Sequence, residues 1–134
     1  MGRMTFINLP VRDLAASTAF FTAVGFAFDP VFTDQNATRM VISDETSAML
    51  MTEEFFRAFV SPQDVADTQA TREVIVGLSA ESRAEVDDLT ERAIAAGAQS
   101  LGDPQDQGPM YMRGFRDLDG HQWSFIHMDM SAVG

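Results

Sequence analysis

Thr5-Phe6-Ile7-Asn8-Leu9-Pro10-Val11-Arg12-Asp13-Leu14-Ala15-Ala16-Ser17-Thr18-Ala19-Phe20-Phe21-Thr22-Ala23-Val24-Gly25 reads as a short apolar strand, a polar cap and a helix that stops at a glycine. The same phrase returns from Glu73 to Gly97, with strand Glu73 to Ser79, cap Ser82 and terminal glycine Gly97. Asp13 and Ser82 are residue types that accept hydrogen bonds from the first free amides of a helix. Gly25 and Gly97 fall just past the last periodic residue, where a left-handed C′ position favours a side chain without Cβ. In the first helix Leu14, Phe21 and Val24 share a face that Phe20 widens; in the second, Val86, Leu89, Ala93 and Ala96 form the stripe. Ser82-Arg83-Ala84-Glu85 has the spacing of a capping box.

Working outward, each helix is followed by further strand-like text. Phe26 to Phe32, Arg39 to Ile42 and Ala48 to Met51 are short apolar segments separated by turn formers, and they predict three antiparallel strands. The later counterparts are Met110 to Arg116 and Gln122 to His127, joined by Asp117-Leu118-Asp119-Gly120, a strong hairpin signal. Between the repeats, Glu53 to Phe59 predicts a short helix ended by Ser61-Pro62, and Gln63 to Thr71 reads as a polar linker. Ser131 to Gly134 reads as a frayed tail. The expected organisation is one α+β domain over 1–134, with module one at 5–52, a connecting helix and linker at 53–71, and module two at 72–128. A duplicated unit places any function near the seam of the repeat.

The chain's 134 residues suit a single core without disulfides or a structural metal. Cysteine is absent, which rules out a disulfide framework, thiolate metal ligands and a cysteine nucleophile. The N-terminus passes into a strand pattern without the features of a signal peptide. No apolar run approaches the roughly 20 residues that cross a bilayer. A cytoplasmic protein with no membrane partner is expected. The formal net charge of -11 argues against a grip on nucleic acid, which needs lysine and arginine to neutralise phosphates. Acidic side chains keep a small protein soluble, and the same field would attract a cationic small molecule.

The text Val11-Arg12-Asp13-Leu14-Ala15-Ala16-Ser17, Phe20-Phe21 and Val24-Gly25-Phe26, followed later by Phe115-Arg116-Asp117-Leu118-Asp119-Gly120-His121 and a strand, resembles the vicinal oxygen chelate superfamily. That family holds glyoxalases, extradiol dioxygenases, fosfomycin-modifying enzymes and bleomycin-resistance proteins, and the resemblance spans roughly Thr5 to Met128. It implies two βαβββ modules forming an open curved barrel with a cavity between them, and a homodimer. In metal-dependent members it also implies a divalent ion held by four histidine, glutamine or glutamate side chains from the first and last strands of each module. Aligned through the motifs, those positions carry Phe6, Leu50, Ile75 and Ser124, none of them a good ligand.

Histidine supply agrees. The chain's two histidines, His121 and His127, are six residues apart in one strand, about 20 Å at a rise of about 3.3 Å per residue, too far to share an ion. By strand parity both face opposite to Ser124. No cofactor is therefore assigned, with a divalent metal left open. A nucleophilic triad lacks a histidine near Ser124, and glycines that open a helix for phosphate binding are missing. What remains is a cavity wall. Its polar members would be Asn8, Tyr111, Arg113 and Ser124 and its apolar members Phe6, Leu50 and Ile75, a mixture suited to a small organic molecule. Arg113 could hold a carboxylate, or form a salt bridge to one of the many acidic side chains. Trp123 and Phe125 are expected to pack against helices, and the methionines in strands to fill the core adaptably. Three functions stay open: a metal-free small-molecule-binding protein, a glyoxalase- or dioxygenase-type enzyme with a rearranged metal site or none, and a protein interaction module with a vestigial site.

Overall fold

The structure, a computed structural model, describes residues 2–132. Of the expected frayed tail, Ser131 lies in a closing 3₁₀ turn, Met130–Ala132, and the end of the chain lies outside the described residues. The chain divides into two compact units, one running to Asp67 and the other starting at Thr68.

The first unit runs β1 (Thr5–Val11), α1 (Leu14–Val24), β2 (Ala27–Asp29), β3 (Ala37–Val41), β4 (Thr46–Thr52) and α2 (Glu53–Val60). Asp13 caps α1 as expected, its carboxylate accepting from the Ala16 amide at 3.0 Å. Gly25 ends the helix at φ 125°, where a side chain would be strained. The strand order is β1-β4-β3-β2, with β1 and β4 parallel and the rest antiparallel. One face packs on α1 and buries Leu9, Val11, Met40, Ala48 and Leu50 with Phe20, Phe21 and Val24. Phe26 to Phe32 is not one strand. Pro30 cannot donate to a ladder, and Asp29 accepts from the Val31 amide at 3.0 Å, so the chain turns into a 3₁₀ segment, Pro30–Phe32.

The second unit runs β5 (Ile75–Ser79), α3 (Arg83–Ala95), β6 (Gln99–Ser100), β7 (Gln105–Gln107), β8 (Met110–Arg116) and β9 (Gln122–Met128). Its order is β5-β9-β8-β6, with β7 also paired to β8 and β5 parallel to β9. The capping box forms in altered shape. Ser82 Oγ accepts from the Glu85 amide, but Glu85 reaches the amide of Glu81, one residue earlier than the motif predicts. Val86, Thr90 and Ala93 are fully buried against the sheet with Phe115, Trp123 and Phe125. β6 and β7 escaped the pattern because they are exposed edge pieces of two and three polar residues with no apolar alternation to reveal them.

Both units are α+β: the first is βαβββ, the second follows the same plan with the strand after α3 split into two short pieces, β6 and β7, that both pair with β8, and neither sheet closes on itself. Among the described residues no helix is long and apolar enough to cross a membrane.

Candidate functional site

Strand register decides which side chains can act together, because paired residues project to the same face. In the first unit Leu9 pairs with Leu50, and both point toward α1. Phe6 pairs with Ser47 and Asn8 with Met49 on the opposite face. The expectation that Leu50 stands beside Phe6 and Asn8 is thus corrected: Leu50 is sealed in the core, and Met49 occupies the adjoining place. A one-residue shift in register moves every side chain of a strand to the other face, and the turn formers before β4, Ser43 to Thr46, contain no Asp-Gly pair to pin it.

The second unit splits in the same way. Ile75, Gly77, Gln122, Ser124, Ile126, Met112, Gly114 and Arg116 share the face turned away from α3. Ile75 stays 60% exposed, while Ser124 is buried. Tyr111 and Arg113 belong to the opposite face, with Phe115, Trp123 and Phe125, so they do not stand with Ser124. Arg113 meets Glu91 at 2.7 Å and Asp87 at 3.4 Å on α3. Burial works against the Arg113 charge, and these two carboxylates outweigh it, leaving its pKa above the ordinary value. Tyr111 donates to Asp87 at 2.7 Å, and that bond raises the phenol's pKa. Arg83 grips Asp106 with two bonds of 2.7 and 2.8 Å and lies 4.9 Å over the Tyr111 ring. This charged ladder ties α3 to β7 and β8, and the salt-bridge alternative for Arg113 is the one observed.

The β8–β9 turn is built around Asp117. One carboxylate oxygen accepts from the amides of Asp119 and His121, and the other accepts from the Trp123 indole at 2.9 Å. His127 places Nδ1 3.1 Å from the Ala80 carbonyl. Neither histidine is grouped with enough partners for a metal: among the described residues no three His, Cys, Asp or Glu side chains come together as a candidate ion site.

A side chain that sequence reasoning missed organises the first unit's face away from α1. Arg39, on β3, gives Nε to Ser47 Oγ at 2.8 Å and Nη1 to Asp29 at 3.2 Å. Its guanidinium carbon lies 5.9 Å from the centre of the Phe6 ring and 5.6 Å from that of Phe32. Its side chain is 16% exposed. The signal was weak, since nothing in Arg39-Met40-Val41 shows which of the alternating residues leaves the core.

A family model described as bleomycin resistance protein-like N-terminal matches residues 3–43. A hypothetical protein from S. aureus is 30% identical, with 95% of this chain covering 94% of that one at a TM-score of 0.79. The chain belongs to the glyoxalase/bleomycin resistance/dioxygenase family. A family enzyme from Burkholderia phytofirmans PsJN shares the fold at 18% identity, 95% and 99% coverage and a TM-score of 0.78. So does a genomically encoded fosfomycin resistance protein from Listeria monocytogenes, at 22% identity, 95% and 91% coverage and a TM-score of 0.67. No curated protein matches the sequence.

The divalent ion that the glyoxalase/bleomycin resistance/dioxygenase family implies does not fit the residues present. The implied positions carry Phe6, Leu50, Ile75 and Ser124, and Met49, next to the buried Leu50, is the residue that shares a face with Phe6. A phenyl ring, a thioether, an alkyl chain and a single hydroxyl do not supply the imidazole and carboxylate donors that such ions need.

Proposed function

We propose that this chain is a metal-independent binding protein for a small, partly apolar organic molecule, and that the binding surface a unit offers is its sheet face turned away from its helix. The observation that carries the reading is the side-chain set of each face taken by itself. Phe6, Asn8, Met49 and Arg39 in the first unit combine apolar contact with a few polar groups, as do Ile75, Gln122, Ser124 and Met112 in the second. The match of residues 3–43 to a bleomycin resistance protein-like model agrees with a binding role. Methionines at such a surface favour accommodation of several ligand shapes. We take the working form to be a cytoplasmic homodimer.

Thermal unfolding against a panel of small aromatic and heterocyclic compounds tests the reading. A binder present at about 100 times its dissociation constant stabilises the fold by about 2.7 kcal/mol. Elemental analysis of the purified protein, with melting curves in manganese, iron(II), nickel and zinc, is the counter-test. Stoichiometric metal, or a large upward shift with any of these ions, would overturn the metal-independent reading.

A further inference from the structure

We propose that Arg39 is the anchor of this binding face and that it selects a planar, aromatic ligand bearing a carboxylate or similar oxyanion. The inference rests on the binding reading above and names its ligand class.

Two of the three guanidinium nitrogens are committed. Nε donates to Ser47 Oγ and Nη1 to Asp29 Oδ2, while Nη2 has no hydrogen-bond partner among the described residues. Ser47 is fully buried, so its hydroxyl fixes the plane of the guanidinium from beneath. Asp29 forms an ion pair with Nη1 through a single bond of 3.2 Å, and its second oxygen is taken by the Val31 amide. What is left is an oriented N–H donor on a cationic group, able to make a charge-assisted bond to an oxyanion.

The surroundings specify the rest of the ligand. Phe6 is 49% exposed and Phe32 57%, two apolar rings near a cation. Bare apolar area costs about 25 cal/mol per Å², and a planar ring laid over Phe6 or Phe32 would cover it while directing an attached carboxylate to Nη2. A purely structural arginine accounts for the Ser47 and Asp29 bonds; the two exposed rings beside the remaining nitrogen are what point to a ligand.

The test is isothermal titration of the full chain with naphthoate and with naphthylmethylammonium, two probes of like shape and opposite charge. Naphthoate should bind and the cation should not. Arg39→Gln and Arg39→Lys should each weaken naphthoate about tenfold or more, and Phe32→Ala should weaken it with Arg39 intact. Circular dichroism and melting curves identify any variant that fails to fold, in which case Phe32→Ala and the wild-type charge preference decide. Because the net charge is -11, naphthoate affinity should rise with salt as long-range repulsion is screened. Preference for the cation, or naphthoate binding unchanged in folded Arg39→Gln and Phe32→Ala, would overturn the assignment. So would a wild type that binds neither probe. A panel compound that binds independently of Arg39 would leave the binding function standing and remove only this anchor.

Discussion

Asp117 is a carboxyl that folding places where its charge is costly. Burial is the main force acting on it and raises its pKa above the ordinary 3.8, against the pull of nearby His121 and of three donors, the Trp123 indole and the amides of Asp119 and His121. A carboxyl whose folded pKa lies above its unfolded one contributes stability that is present below 3.8 and lost as pH rises through the raised value. Asp117→Asn removes that titration and turns an amide N–H toward the indole donor. It should cost about 1–3 kcal/mol, with the penalty shrinking as pH rises. Denaturant curves followed by fluorescence of Trp123, the only tryptophan, check both points; a pH-independent penalty would contradict the raised pKa. Tyr111 is likewise the only tyrosine. Ultraviolet titration should place its ionisation above the ordinary 10.0, and Asp87→Asn should bring it down. Both residues were visible in the sequence, Asp117 as the start of a turn and Tyr111 as a candidate wall residue. Their partners were not, because Asp87 lies 24 residues from Tyr111 and meets it only across the helix–sheet packing.

At the scale of elements, caps and turns carry the topology. Asp13→Ala and Ser82→Ala each remove an acceptor from the first turn of a helix and should each cost about 1 kcal/mol in urea unfolding. A loss near zero in either would mean that packing alone holds that helix start. The β8–β9 turn is less forgiving. Gly120 sits at φ 84°, and a Cβ there would come 2.6 Å from Thr68 Oγ1, whose hydroxyl donates to the Asp119 carbonyl. Gly120→Ala should therefore cost more than the about 1–2 kcal/mol of left-handed backbone strain alone, read as a lower melting temperature. Capped helices and the Asp-Gly hairpin were legible because local chemistry specifies them within a few residues. The 3₁₀ turn after Asp29 and the edge strands β6 and β7 were not. The first depends on a proline overriding an apolar run, and the others are two or three polar residues whose strand character comes only from pairing to β8.

For the whole molecule, 20 acidic side chains face 9 arginines, and the resulting self-repulsion destabilises the compact state. Raising salt from about 0.01 M to about 0.15 M shortens the screening length from about 30 Å to about 8 Å and should raise the melting temperature; an unchanged value would show that local pairs such as Arg83–Asp106 already offset the repulsion. The repeat, the helices and their glycine stops were determined by the sequence itself, because periodicity, capping and turn chemistry act over short stretches; the family entered through the resemblance of the motifs at Val11 to Phe26 and Phe115 to His121. Composition alone also shows that cysteine is absent and that histidine occurs only twice. Faces were decided only by tertiary structure. Strand alternation shows that Leu50 and Met49, or Arg113 and Gly114, point opposite ways, but the pairing of β1 with β4 and of β8 with β9 determines which of each pair enters the core. For the same reason Arg39 went unnoticed: its neighbours Ser47, Asp29, Phe6 and Phe32 come from four other segments and meet only when the sheet forms.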